Sequence, residues 1–221
     1  MQAPLIIIIG HYGSGKSEFS VNLALQKARD HNVCLADLDI VNPYFRSREA
    51  REILNNHNIE VISDTYSSTK GLDMPYLSPA VQGRIAKRDK FLIMDCGGDP
   101  NGIKVLRQFS DLISDAPYEM WMIVNVFRPE THNPSDILAM YRALQASSGL
   151  KITGFINNSN LLRQTSVADM LQANQIMQEV VEETNVKVVY TSGIPELLNK
   201  LPNDILGEKF PLQIILREKW L

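Results

Sequence analysis

Residues 5–17 read LIIIIGHYGSGKS. Leu5 to Ile9 form an unbroken apolar run, which suits a strand covered on both faces, as in a parallel sheet. The turn that follows, Gly10-His11-Tyr12-Gly13-Ser14-Gly15-Lys16-Ser17, matches GxxxxGK[ST] at every fixed position. Its glycines permit a backbone path that turns successive N–H groups into one concavity. A helix starting at Lys16 adds the positive end of its dipole. Lys16 is a mobile point charge for the outer phosphates of a nucleotide, and the Ser17 hydroxyl is a ligand for Mg²⁺. Strand, turn and helix together predict a phosphate-binding loop.

Similar apolar runs recur along the chain at Val33–Ala36, Phe91–Met94, Met120–Val126, Ile152–Ile156 and Val186–Tyr190. Amphipathic stretches separate them. Residues 16–29 read as the helix after the turn. Residues 134–147 follow Asn133 as N-cap, have Pro134 at the first helical position and stop at Gly149. Residues 167–183 start from Ser166 and Asp169, a capping-box pattern. Strand–helix alternation predicts an α/β protein: a three-layer α/β/α sandwich around a mostly parallel central sheet. Residues 64–89 carry no strand signal and read as a loop plus a short helix from Ser78-Pro79. No repeat or linker divides residues 1–221, so one domain is expected.

Composition narrows the partners. The chain has 221 residues and a net charge of −3, which argues against a general nucleic-acid binder. Cys34 and Cys96 form no metal-spaced cluster and sit in apolar runs, so they read as buried small hydrophobes in a reducing compartment. The opening apolar run lacks the flanks of a signal peptide, and no run approaches the roughly 20 residues that span a bilayer. The expected location is the cytoplasm, without membrane contact; the apolar end, FPLQIILREKWL, is expected to pack on the domain.

A Mg²⁺-triphosphate needs carboxylates, and ligands bind where the strands of an open α/β sheet end. Asp37 and Asp39 end the second apolar run and Asp95 the third. Asp95 is the candidate on the Mg²⁺ side, with Ser17, and Asp39 the candidate that orients the attacking water and contributes to the metal site. Alternation points Asp37 away from Asp39, so it reads as structural.

With these elements in order, the chain resembles the MinD/ParA class of P-loop ATPases, the deviant Walker A group that also includes CobQ/CobB-type enzymes and dethiobiotin synthetase. ADLDI (36–40) is similar to the end of the switch I strand, and DCGGDPNG (95–102) stands in place of switch II. VNVFRPETHNPSDILAMY (124–141) resembles the segment around the family's Asn-Pro-Glu. GFINNSN (154–160) resembles the strand whose terminal asparagine holds adenine, which implies Asn158 or Asn157 as base contact. SGIPEL (192–197) resembles the last nucleotide loop, with Ile194 and Pro195 beside the base.

The resemblance implies ATP and Mg²⁺ as cofactors, weak ATPase activity, and a switch that cycles between ATP and ADP, with a homodimer as one assembly. The sequence NNSN also lacks the lysine and aspartate of the [NT]KxD pattern that selects guanine. The family carries a lysine at position 11 that reaches a dimer partner's phosphates; here His11 stands there, a shorter group that is not equivalent to the lysine. Arg46 and Arg163 are candidates for a substitute cation. A non-hydrolysing nucleotide-binding module is also compatible with these residues, and so is a small-molecule enzyme, an ATP-dependent kinase or a CobQ/dethiobiotin-synthetase-type ligase or amidase, with residues 64–89 helping to hold its substrate. The partner is then a small molecule rather than a protein.

Overall fold

The computed structural model describes residues 4–38, 48–63, 79–100 and 102–216. Among these, eight strands form one sheet: β1 (Leu5–Gly10), β2 (Val33–Leu38), β3 (Glu60–Ser63), β4 (Phe91–Cys96), β5 (Glu119–Val124), β6 (Gly154–Asn157), β7 (Val188–Gly193) and β8 (Glu208–Pro211). The order across the sheet is β3-β2-β4-β1-β5-β6-β7-β8, with every pairing parallel. All carboxyl ends therefore share one edge. The chain leaves β1 toward β2 on one side and later places β5 on the other, so the crevice at the end of β1 is a topological switch point.

The unbroken apolar runs are explained by burial on both faces. Leu5, Ile7 and Ile9 enter one core, and Ile6 and Ile8 enter the other. The first core is covered by α3 (Pro79–Lys87), α4 (Ser110–Ser114), α5 (Pro134–Ser148) and α6 (Val167–Thr184), through residues such as Ile85, Ile113, Leu144 and Met177. The second is covered by α1 (Lys16–Lys27) and α2 (Arg48–Asn56), through Phe19, Leu23 and Leu54, and by Phe210 of β8. The result is a three-layer α/β/α sandwich. Phe19 is fully buried, and its ring lies 4.8 Å from that of Phe210, which ties the helix behind the turn to the far edge of the sheet. Truncating such a ring to alanine costs about 3–5 kcal/mol.

The predicted helix signals hold. The Asn133 side chain accepts from the Asp136 amide at 2.9 Å, and Gly149 closes α5 in the left-handed region at φ 73°. Ser166 and Asp169 form the reciprocal capping box of α6. A helix does start at Pro79. Cys34 and Cys96 are buried free thiols. Residues up to Leu216 of the C-terminal segment pack on α1: the Gln213 backbone pairs both ways with the Asn22 amide, and the Ile215 amide donates to Glu18 at 2.6 Å. No helix among the described residues is long and apolar enough to cross a membrane.

Two strands, β3 and β8, have no counterpart among the runs expected from sequence. Both are four residues long and lie at the two edges of the sheet.

Candidate functional site

The Gly10–Ser17 turn leaves β1 at the switch point. Gly10 (φ 140°) pairs with Ile123 of β5 so closely that a Cβ would strike the Ile123 carbonyl. Gly13 and Gly15 are also left-handed, at φ 76° and 91°. Gly15 is the N-cap of α1 and no side chain caps that helix, so its first amides keep their donors.

The carbonyls of residues 11–15 all lie within hydrogen-bonding distance of a protein nitrogen. The His11 carbonyl accepts from the Ser14 amide at 3.2 Å and from Lys16 Nζ at 3.3 Å. His11 Nδ1 lies 3.0 Å from the Tyr12 carbonyl. Arg128 Nε donates to the Gly13 carbonyl at 3.0 Å, Asn158 Nδ2 to that of Ser14 at 2.7 Å, and the Phe19 amide to that of Gly15 at 3.0 Å. By contrast, the amides of Gly13, Gly15, Lys16 and Ser17 have no protein acceptor among the described residues, and the buried Ser14 Oγ has no partner. Buried polar groups left this way are rare unless something else satisfies them. Unengaged donors beside a 5%-exposed ammonium have the chemistry that suits an anion.

Asp95 ends β4 next to β1. It is fully buried, and its Oδ1 accepts from Ser20 Oγ of α1 at 3.3 Å. Ser20 lies one helical turn beyond Ser17, so the Ser17 hydroxyl and the Asp95 carboxylate approach from the same face of α1. Asp37 is the register partner of Asp95 on β2 and is also buried. Asp39 and Arg46 lie outside the described residues.

Beyond Asp95 the chain turns back at Gly97-Gly98. A Cβ on Gly98 would lie 2.8 Å from the Tyr12 amide nitrogen and 2.9 Å from Lys16 Nζ, so only glycine permits this approach. Asp99 closes the turn by accepting from the Gly102 amide at 2.6 Å.

On the other side of the loop lies a cavity of about 100 Å³. Gly13, Gly15, Arg128, Asn158, Ile194 and Leu212 are among its lining residues. Asn158 is 3% exposed and its amide is doubly engaged, donating to Ser14 and accepting from Ser192 Oγ at 2.8 Å. Asn157 is turned to Ser159, whose hydroxyl donates to it at 2.7 Å. Ile194 stands at the mouth, 36% exposed, and Pro195 starts the short helix α7 (Pro195–Leu198) behind it. His11 Nδ1 lies 3.5 Å from the Glu130 carboxylate. Tyr12 is exposed, and so is Arg163, in the 3₁₀ turn Leu162–Gln164.

The fold therefore brings the loop, Asp95, Asn158 and Ile194 to one edge. Sequence reasoning missed Arg128 as a partner of the loop and Ser192 as the partner that holds Asn158 against it. The former contacts it across 115 positions of chain, a separation that no local motif reports.

No family model and no curated protein matches the chain. Its fold is similar to that of cell division protein FtsY from Thermotoga maritima (21% identity, TM-score 0.56, 85% of this chain and 61% of that one). It is also similar to chloroplast FtsY from Physcomitrella patens (18%, 0.56, 85% and 57%). A third is the signal recognition particle receptor FtsY from Elizabethkingia anophelis in complex with GDP (16%, 0.53, 87% and 58%). The chain thus spans about three fifths of the length of these structures. Its architecture is that of a P-loop NTPase: a parallel sheet between helical layers, with the phosphate-loop sequence at the end of β1.

Proposed function

We propose that the chain binds a nucleoside triphosphate with Mg²⁺ at the Gly10–Ser17 loop and hydrolyses it slowly, acting as a nucleotide-dependent switch of the MinD/ParA kind. The observation that carries this reading is the division of the loop's polar groups: the carbonyls of residues 11–15 face protein donors, while the amides of Gly13, Gly15, Lys16 and Ser17 have no protein acceptor among the described residues. Lys16 exchanges the His11 carbonyl for phosphate oxygens. The metal would be held by the Ser17 hydroxyl, which has no protein partner among the described residues, and by Asp95, directly or through water. Bound there, Mg²⁺ neutralises charge on the phosphates. Asp39 orients the water in this reading. Gly98, packed on Tyr12 and Lys16, is placed to respond when the loop fills.

The base is adenine. One of the similar structures carries GDP, and guanine presents N–H donors that call for a carboxylate. Among the residues lining the cavity only Glu18 is acidic, and its oxygens accept the Ile215 and Leu216 amides. Asn158 supports the wall of the base pocket through Ser14 and Ser192, with Asn157 behind it and Ile194 and Pro195 beside the base. His11, near the Glu130 carboxylate, does not replace the family's lysine, so a nucleotide-sandwiched homodimer is not required by this reading.

The test is calorimetric titration of ATP and GTP with Mg²⁺ into the wild-type chain and Lys16→Ala. ATP binding that Lys16→Ala weakens at least tenfold is expected. Equal ATP affinity in both proteins would refute the site, and preferred GTP binding would refute the choice of base.

A further inference from the structure

We propose that Arg128 is a second phosphate-binding cation of this site, an inference that rests on the nucleotide reading above. Arg128 follows β5 in the turn Asn125–Thr131, and that turn is braced at several points. The Asn125 carbonyl accepts the Arg128 amide at 3.1 Å and Thr131 Oγ1 at 2.8 Å. The buried Asn125 side chain accepts the Phe127 amide at 3.0 Å and donates to the Asn160 carbonyl at 3.2 Å. The Val126 amide donates to Ser159 Oγ at 3.1 Å. The backbone that carries the guanidinium is therefore fixed before any ligand arrives.

The guanidinium itself lies flat against the loop. Nε is engaged with the Gly13 carbonyl, and a Cβ on Gly13 would sit 3.4 Å from Cζ. The two terminal nitrogens have no hydrogen-bond or carboxylate partner among the described residues. Arg128 also lines the cavity together with Gly13, Gly15 and Asn158, so it stands between the base pocket and the loop amides. A guanidinium presents five donors in a planar fork. One donor here holds the loop, and the remaining four are available to the phosphate chain. This supplies, from the same chain, a fixed positive charge that His11 does not.

The test uses the full-length chain and three probes: Mg²⁺-ATP, Mg²⁺-ADP and adenosine. Affinities are measured for the wild type, Arg128→Gln and Arg128→Lys. Arg128→Gln is expected to weaken ATP and ADP by about 10- to 100-fold while leaving adenosine unchanged. Arg128→Lys keeps the charge but loses the fork, and is expected to fall between the two. If Arg128→Gln binds ATP like the wild type, the role of Arg128 is overturned and the nucleotide site stands. If it weakens adenosine as much as ATP, Arg128 only shapes the loop and the proposal fails. If the wild type binds none of the probes, the nucleotide reading itself is wrong. Should Arg128→Gln not fold, Arg128→Lys decides: ATP affinity equal to the wild type overturns the proposal, and selective loss of ATP over adenosine supports it.

Discussion

Asn158 connects three parts of the site, which makes Asn158→Ala an informative perturbation. Its Nδ2 donates to the Ser14 carbonyl at 2.7 Å, and its Oδ1 accepts from Ser192 Oγ at 2.8 Å, at a position 3% exposed. Alanine leaves the Ser14 carbonyl without its partner on a residue 1% exposed, which costs about 1–3 kcal/mol. Ser192 keeps a bond to the Asn157 carbonyl at 3.3 Å, so its loss is smaller, about 0.5–1 kcal/mol. The sum is roughly 1.5–4 kcal/mol. For a chain of this size each kcal/mol lowers Tm by about 2–4 °C, so a fall on the order of 10 °C is expected. Asn158→Asp adds a pH signature. A buried carboxyl facing the Ser14 carbonyl has its folded pKa raised above the unfolded value of about 3.9. Its favourable protonated form, which can donate to Ser14, is fully present below the unfolded pKa and is lost as pH rises through the folded one. Thermal melts of both variants between pH 4 and pH 8 read this directly. An Asn158→Ala melt within 1 °C of wild type, or an Asn158→Asp penalty that does not grow with pH, would refute the assignment of the donor to Ser14.

Two further predictions concern the opposite end of the sheet. Burial opposes ionisation of Glu60, but hydrogen bonds from Lys90 and Arg84 prevail and hold its carboxyl below the usual glutamate value. Its contribution is present above the unfolded pKa of about 4.3 and is lost as pH falls through the folded pKa. Glu60→Gln should therefore lower stability at pH 7 and flatten its decline below about pH 4.5; chemical denaturation at several pH values measures both. The Cys34 thiol is pushed up to about 12, first by burial and then by the Glu60 carboxylate. Alkylation at pH 8 should be slow and should track unfolding, so rapid labelling of native protein at Cys34 would contradict its burial.

The parts legible in sequence are those whose physics is local. The Gly10–Ser17 loop, the Asn133 cap and the Ser166–Asp169 capping box each depend on residues within one or two turns, so spacing alone reveals them. The β1 run is legible because both its faces are buried. The edge strands are not. Glu60-Val-Ile-Ser63 and Glu208-Lys-Phe-Pro211 are short and charged, and Phe210 is the only buried residue of the latter. Such composition suits sheet edges and hides them from apolar patterning. Asn158 was visible as a strand-end asparagine, but its engagement with Ser14, 144 positions away, depends on the parallel order β1-β5-β6.

That same order explains why the side-chain anchors of the Gly13 and Ser14 carbonyls come from one side of the loop. On its right, Arg128 in the turn after β5, Asn158 just past β6 and Ser192 near the end of β7 anchor the Gly13 and Ser14 carbonyls directly or through Asn158. Anchoring those carbonyls orients the amides before a ligand arrives and removes part of the ordering cost of binding. To the left, β4 reaches the loop through Gly98, whose close approach to Tyr12 and Lys16 is set by the missing side chain. A packed contact of this kind yields more readily than a buried hydrogen bond to a guanidinium or an amide. A phosphate drawing Lys16 away from the His11 carbonyl moves the group against which Gly98 rests, while the Arg128 and Asn158 bonds remain intact. In the proposed switch, the rearrangement would fall on the segment following Asp95, the residue that the same reading assigns to the metal.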